Sequence, residues 1–192
     1  MEPIWNSGSR QFLRPPMSSM PPIVEQVRKT MKHLKREMKI WKDLDHGNIV
    51  RFIGFAIEDR GGVPEAVLVS EWCANGNLAE YLHCEPSCNR LALLLDVARG
   101  LTYLHDRDPV VVHGDLKPFN VLISDAGHAK LCDFGFSLIA DGLTTGFTSS
   151  APGFTLRYCA PEVLESGKKT RPGDTYSFAC TCAMVSSRNS RL

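Results

Sequence analysis

Apolar side chains fall along this chain in two rhythms, and the switches between them divide it. Val27, Met31, Leu34, Met38 and Trp41 recur at helical spacing with Arg28, Lys29, Lys32, Lys35, Arg36 and Lys39 between them, which predicts a helix with a solvated basic face. Val50 to Ile57 and Ala66 to Val69 are short apolar runs around Glu58-Asp59-Arg60-Gly61-Gly62-Val63-Pro64, which predicts two strands and a turn-rich loop. Asn77 followed by Glu80 resembles a capping-box helix start. Leu91, Leu94, Leu95, Ala98, Leu101 and Leu104 then return to the helical spacing, up to His105. Val121 to Ile123 and Ala129 to Cys132 flank the turn Ser124-Asp125-Ala126-Gly127 and predict a hairpin. Residues 1–22 show no sustained period, and Pro15-Pro16 and Pro21-Pro22 break any element there, so a disordered arm is expected.

Composition changes this picture little. The chain has 192 residues and a formal net charge of +1, which argues against nucleic acid or a membrane surface as a partner. The apolar stretch Tyr176 to Val185 is too short to span a bilayer, and no charged-then-apolar leader opens the chain. Seven cysteines without a Cys-x-x-Cys pair suit a reduced, cytoplasmic setting.

The chemistry lies on either side of the predicted hairpin. His113-Gly114-Asp115-Leu116-Lys117-Pro118-Phe119-Asn120 precedes it and Asp133-Phe134-Gly135 follows it. Each aspartate alone reads as a turn former. Together, an Asp and an Asn brought close by a hairpin offer hard oxygen ligands suited to Mg²⁺ carrying phosphates. Asp115 beside Lys117 suits orienting a hydroxyl and taking its proton.

This ordered set resembles the catalytic loop and metal-binding motif of the eukaryotic protein kinases. Ala160-Pro161-Glu162 is similar to the end of that family's activation segment, and Asp174 with Tyr176-Ser177-Phe178 to the start of the central helix of its larger lobe. The resemblance covers roughly residues 30 to 185. It implies an α+β, two-lobed fold, with a small lobe and hinge over residues 23–73 and a large lobe over 74–192. It also implies transfer of the ATP γ-phosphoryl group, with Mg²⁺, to a protein substrate. Asp115 would be the base, Lys117 the charge stabiliser, and Asn120 and Asp133 the metal ligands. The Glu71 carbonyl and the Cys73 N–H and carbonyl would meet adenine, with Ser70 behind it and Leu122 beneath. Glu37 would pair with a phosphate-binding lysine, His113 would pack under Phe134, and Thr155 would contact Asp115 and Lys117. Glu162 would pair with an arginine further along the family's pattern. Lys117 and Thr155 imply serine/threonine specificity of the tyrosine-kinase-like type, and Thr144, Thr145, Thr148, Ser149 and Ser150 offer hydroxyls for phosphorylation.

Four departures qualify the resemblance. Gly114 stands where many kinases have the arginine that receives an activation-loop phosphate, no Gly-x-Gly-x-x-Gly occurs, and no Val-Ala-x-Lys precedes Glu37. The chain ends at Leu192, soon after the central helix begins. The expectation is a small lobe lacking its first strands and a large lobe lacking its last helices. Uncovering on the order of 100 Å² of apolar surface over the nucleotide costs about 2.5 kcal/mol. Losing one cationic donor costs roughly another 3 kcal/mol, together about four powers of ten in rate. The alternative function is a catalytically impaired kinase-like scaffold that binds other proteins.

Overall fold

The computed structural model describes residues 38–59, 64–134, 138–139 and 156–187. Glu37, Thr155, the proposed arm 1–22 and the hydroxyls between 144 and 150 lie outside these residues. The described chain mixes helices with short antiparallel strands, as the α+β expectation requires.

A helical turn over 38–41 leads into β1 (Phe52–Asp59), which pairs antiparallel with β2 (Pro64–Ser70). The connecting loop is shorter than the sequence suggests, because Glu58 and Asp59 pair with Glu65 and Pro64 inside the ladder. The chain then enters α1 (Leu78–Cys84), where Asn77 Oδ1 accepts the Glu80 N–H at 3.0 Å as a helix cap. Helix α2 (Arg90–His105) follows, capped by Asn89. Strand β3 (Val111–Val112) pairs with β6 (Leu138–Ile139), and β4 (Val121–Ile123) with β5 (Ala129–Leu131) as the predicted hairpin. Gly127 closes that hairpin at φ +80°, donating to the Ser124 carbonyl at 2.8 Å. Helices α3 (Pro161–Ser166) and α4 (Arg171–Ser186) complete the described chain.

The buried face of α2 is not the one that the leucine spacing suggests. Leu93, Val97, Gly100, Leu101 and Leu104 point inward, whereas Leu91 and Leu95 are 76% and 48% exposed. Leucines occupy both faces of this helix, so their spacing alone cannot choose between them. Gly100 chooses. A Cβ there would lie 2.7 Å from the Asn48 carbonyl oxygen and 3.2 Å from Leu131, so only a glycine face lets the 45–50 loop and β5 approach. Asp96, on the same side, is buried because it accepts the Ala129 N–H at 3.2 Å and meets His128 Nδ1 at 3.1 Å.

One core joins these elements through Ile49, Leu78, Val97, Leu104, Leu116, Ile123 and Phe134, each no more than 2% exposed. Helix α4 packs on α2, and along its length it buries Gly173, Ser177, Thr181 and Val185, with Gly173 set against Val163. This face of the Tyr176–Val185 stretch is small and partly polar rather than greasy, and its hydroxyls are satisfied locally: Ser177 Oγ donates to the Tyr158 carbonyl at 2.6 Å and Thr181 Oγ1 to the Ser177 carbonyl at 2.9 Å. On the sheet, Ile53, Phe55 and Ile57 are each more than half exposed.

Candidate active site

Strand β3 delivers the chain into His113-Gly114-Asp115, and α4 fixes that turn from the far end of the sequence. Asp174, in the first turn of α4, accepts the His113 N–H and the Gly114 N–H, each at 2.8 Å, and meets His105 Nε2 at 2.9 Å. Gly114 takes φ +76°, a left-handed conformation that glycine adopts without a Cβ clash. Beyond it, Asp115 Oδ2 receives Lys117 Nζ at 2.7 Å and Asn120 Nδ2 at 3.1 Å. Asn120 Nδ2 also reaches the Asp115 main-chain carbonyl at 2.9 Å, so a 3-10 turn over Pro118–Asn120 folds the motif back on itself. The Asp115 and Lys117 side chains are each 7% exposed, and Asp115 Oδ1 has no hydrogen-bond partner among the described residues. The result is a sheltered ion pair with one carboxylate oxygen left to accept a proton or hydrogen bond.

The second half of the motif is tied to the first by main chain. Cys132 N–H donates to the Asn120 carbonyl at 3.0 Å, which brings Asp133 alongside Asn120. Asp133 adopts φ +62°, a conformation costing roughly 1–2 kcal/mol for a residue with a Cβ but one that Asp visits more readily than most. That turn sends Phe134 inward to 0% exposure. Its ring lies 5.6 Å from His113 and 5.6 Å from Trp41, and Trp41 lies 5.3 Å from Phe52. His113 packs against Phe134 as the family resemblance implies. Its Nε2 donates to the Cys132 carbonyl at 3.0 Å and its Nδ1 accepts the Asp115 N–H at 3.3 Å, which places the ring proton on Nε2.

The predicted adenine-contacting groups follow β2. Cys73 is buried, its carbonyl accepts the Gly76 N–H at 3.2 Å, and its own N–H has no partner among the described residues. Burial, with the Glu71 charge adding, pushes its thiol up, so it stays protonated at neutral pH. Leu122 is half-buried at the middle of β4, facing Lys130 across the hairpin. Glu71 offers more than a carbonyl. Its carboxylate accepts Lys130 Nζ at 2.8 and 2.9 Å and the Arg51 N–H at 2.7 Å. Burial would raise the Glu71 carboxyl, but these donors outweigh it and hold the group below its ordinary value.

Glu162 lies exposed in the first turn of α3, after Pro161 at the start of the helix. Three contributors escaped sequence reasoning. Trp41 is visible in sequence only as the end of an apolar stripe, yet its indole N–H anchors on the Val50 carbonyl at 2.6 Å and its ring supports Phe134. Asn48 Nδ2 ties the 45–50 loop to the Ala129 carbonyl at 3.0 Å, and Lys130 reaches the Glu71 carboxylate. The alternation Ala129-Lys130-Leu131 placed Lys130 on the opposite face to its core neighbours, which is the one signal that pointed to it.

The donor set fits a nucleotide-borne metal. Among the described residues no three His, Cys, Asp or Glu side chains converge as a self-sufficient metal cage. The Asn120 amide, held through its nitrogen, leaves its oxygen for other use, and with the Asp133 carboxylate it supplies two hard oxygens, few enough that a Mg²⁺ would keep phosphate and water ligands. No helix among the described residues is long and apolar enough to cross a membrane.

Comparison with known proteins agrees with this geometry. The family model for the protein kinase domain matches residues 22–191. The chain is 38% identical over 161 residues to the salt tolerance receptor-like cytoplasmic kinase 1 of Oryza sativa subsp. japonica, covering 75% of this chain and 42% of the relative. It is 37% identical over 155 residues to the human receptor-interacting serine/threonine-protein kinase 3, covering 77% and 30%. It is 36% identical over 149 residues to the serine/threonine-protein kinase CTR1 of Arabidopsis thaliana, covering 74% and 17%. The chain thus spans less than half the length of these curated relatives. With the family model matching nearly its whole length and the motif residues converging as they do, this chain belongs to the protein kinase family.

Proposed function

We propose that the chain transfers the γ-phosphoryl group of ATP to serine or threonine hydroxyls of a protein. The observation that carries this reading is the sheltered group of Asp115, Lys117 and Asn120, joined at 2.7 and 3.1 Å. Asp115 Oδ1 accepts the hydrogen of the incoming hydroxyl, orienting its oxygen toward the γ-phosphorus and taking the proton as the new P–O bond forms, while the bond from the γ-phosphorus to the β–γ bridging oxygen breaks and ADP leaves. Lys117, 2.7 Å from the other carboxylate oxygen, steadies the base and places a positive charge where charge accumulates on the transferring group. Asn120 and Asp133 would hold Mg²⁺, which when bound would neutralise phosphate charge. Glu71 and Cys73 present main-chain groups to adenine above Leu122. Glu37 and Thr155 retain, within this reading, the roles the resemblance implies, and a lobe boundary at Cys73 is part of the same proposal.

Phosphoryl transfer from γ-labelled ATP to a mixed protein substrate tests it. Label should appear on serine and threonine, and Asp115→Ala should remove it. Lys117→Met should lower the rate by about 10²–10³. Label that persists in Asp115→Ala would sink the assignment of the base.

A further inference from the structure

The ladder between β1 and β2 ends irregularly where it meets the predicted adenine site. Arg51 and Glu71 stand opposite one another just past the Phe52–Ser70 pair, and the Glu71 N–H donates to the Arg51 carbonyl at 3.0 Å. A regular antiparallel pair at such a position exchanges two bonds, so the Arg51 N–H should return to the Glu71 carbonyl. Instead it donates to Glu71 Oε1 at 2.7 Å. The carboxylate has taken the place of its own main-chain carbonyl in the ladder. Among the described residues that carbonyl then receives the Ser70 hydroxyl alone, at 3.2 Å. One of its two lone pairs remains for another donor. Lys130 Nζ grips the carboxylate at 2.8 and 2.9 Å, and Lys130 stands in register with Leu122, beside the predicted floor of the pocket.

We propose that Glu71 is a positioning residue for base recognition: its carboxylate satisfies the Arg51 N–H so that its carbonyl stays available to the 6-amino group of adenine. Lys130 holds the carboxylate in that role and ties it to β5, the strand paired with the one that carries Leu122. The inference rests on the ATP reading above and deepens it, since purine discrimination then depends on a side chain that need not touch the purine. The plain alternative is an ion pair that only stabilises the fold. With 18% and 27% of its two side chains exposed, such a pair stabilises modestly, and it would not alter which purine is bound.

The test compares ATP with purine riboside triphosphate, which lacks the 6-amino group, by calorimetric titration of the full 192-residue chain in Mg²⁺. The wild type should bind ATP about tenfold more tightly, the worth of one hydrogen bond. In Glu71→Ala the Arg51 N–H is free to return to the carbonyl, and the ratio should fall below about twofold. Glu71→Gln keeps an oxygen for the Arg51 N–H and should restore the ratio. A tenfold ratio persisting in Glu71→Ala, or a Gln variant that loses as much as Ala, overturns the proposal while leaving the ATP reading intact. A wild type that binds both nucleotides equally, or neither, overturns the adenine assignment itself. Thermal melts establish that each variant is folded. If Glu71→Ala is not, Lys130→Met, which leaves the hinge sequence unchanged, replaces it: its ratio should drop at least about threefold, and an unchanged ratio overturns the proposal.

Discussion

Replacing Asp174 by alanine takes the acceptor from two catalytic-loop N–H groups at once. Asp174 is 2% exposed, and its oxygens receive the His113 and Gly114 N–H groups at 2.8 Å each, with His105 at 2.9 Å. A buried donor left without a partner costs about 1–3 kcal/mol. His113 N–H is buried and should cost near the top of that range; Gly114 N–H is only partly buried, and water recovers some of its loss. The sum is about 4 kcal/mol, a large share of the 5–15 kcal/mol typical of a whole domain. For a chain of this size it corresponds to a fall of about 8–16 °C in Tm. Asp174→Asn keeps one oxygen and should lose about half as much. Urea unfolding followed by far-ultraviolet circular dichroism reads the difference, with the m-value checking that the unfolded state is unchanged. An alanine variant within about 1 kcal/mol of the wild type at equal m would show that α4 does not hold the loop, and the anchoring argument would fail.

Three further outcomes follow from the geometry. Gly100→Ala gains helix propensity but forces its Cβ to 2.7 Å from the Asn48 carbonyl, so it should destabilise by a net 1–2 kcal/mol or so, whereas a raised Tm would contradict the close approach. Asn77→Ala removes the cap on Glu80 N–H and should cost about 1 kcal/mol in urea unfolding; no change would mean that α1 is held by packing alone. Because the folded Glu71 carboxyl is held below its ordinary value of 4.5, its contribution is present above that pH and is lost as pH falls through the lower folded value. Unfolding free energies of wild type and Glu71→Gln should therefore differ near neutrality, by no more than about 1 kcal/mol, and converge in acid; a difference that grows in acid reverses the sign and refutes the pairing.

What the sequence reveals and what it hides divide by distance along the chain. The β4–β5 hairpin is written in adjacent residues, two apolar runs and a Gly-ended turn, and it folds as read. The Asn77 cap needs only three residues and is equally plain. The convergence of Asp115, Lys117 and Asn120 spans six positions and is legible as a motif, although composition and spacing do not supply the bond lengths. The buried face of α2 is ambiguous because leucines line both sides, and the deciding contact, Gly100 against Asn48, joins segments 52 residues apart. Asp174 is readable as a helix start, but its grip on residues 113 and 114 spans about as long a separation, 61 and 60 residues. The Glu71 carboxylate escapes for a different reason. Family resemblance assigned that residue a main-chain role, and nothing local distinguishes a side chain that stands in for its own carbonyl.

The column of rings behind Asp133 also equips the molecule with its own optical probe. Trp41 is 6% exposed and lies 5.6 Å from Phe134, while Trp72, between Glu71 and Cys73, is 84% exposed. An indole in an apolar surrounding emits to the blue of one in water, so these two tryptophans report from separable wavelengths. Withdrawal of Phe134 from its pocket would shift the blue component, and a ligand settling against the hinge would shift the red one. With Trp5, which lies outside the described residues, changed to Phe, a single emission spectrum distinguishes movement of the Asp133-Phe134 segment from occupancy beside Cys73, without any label attached to the chain.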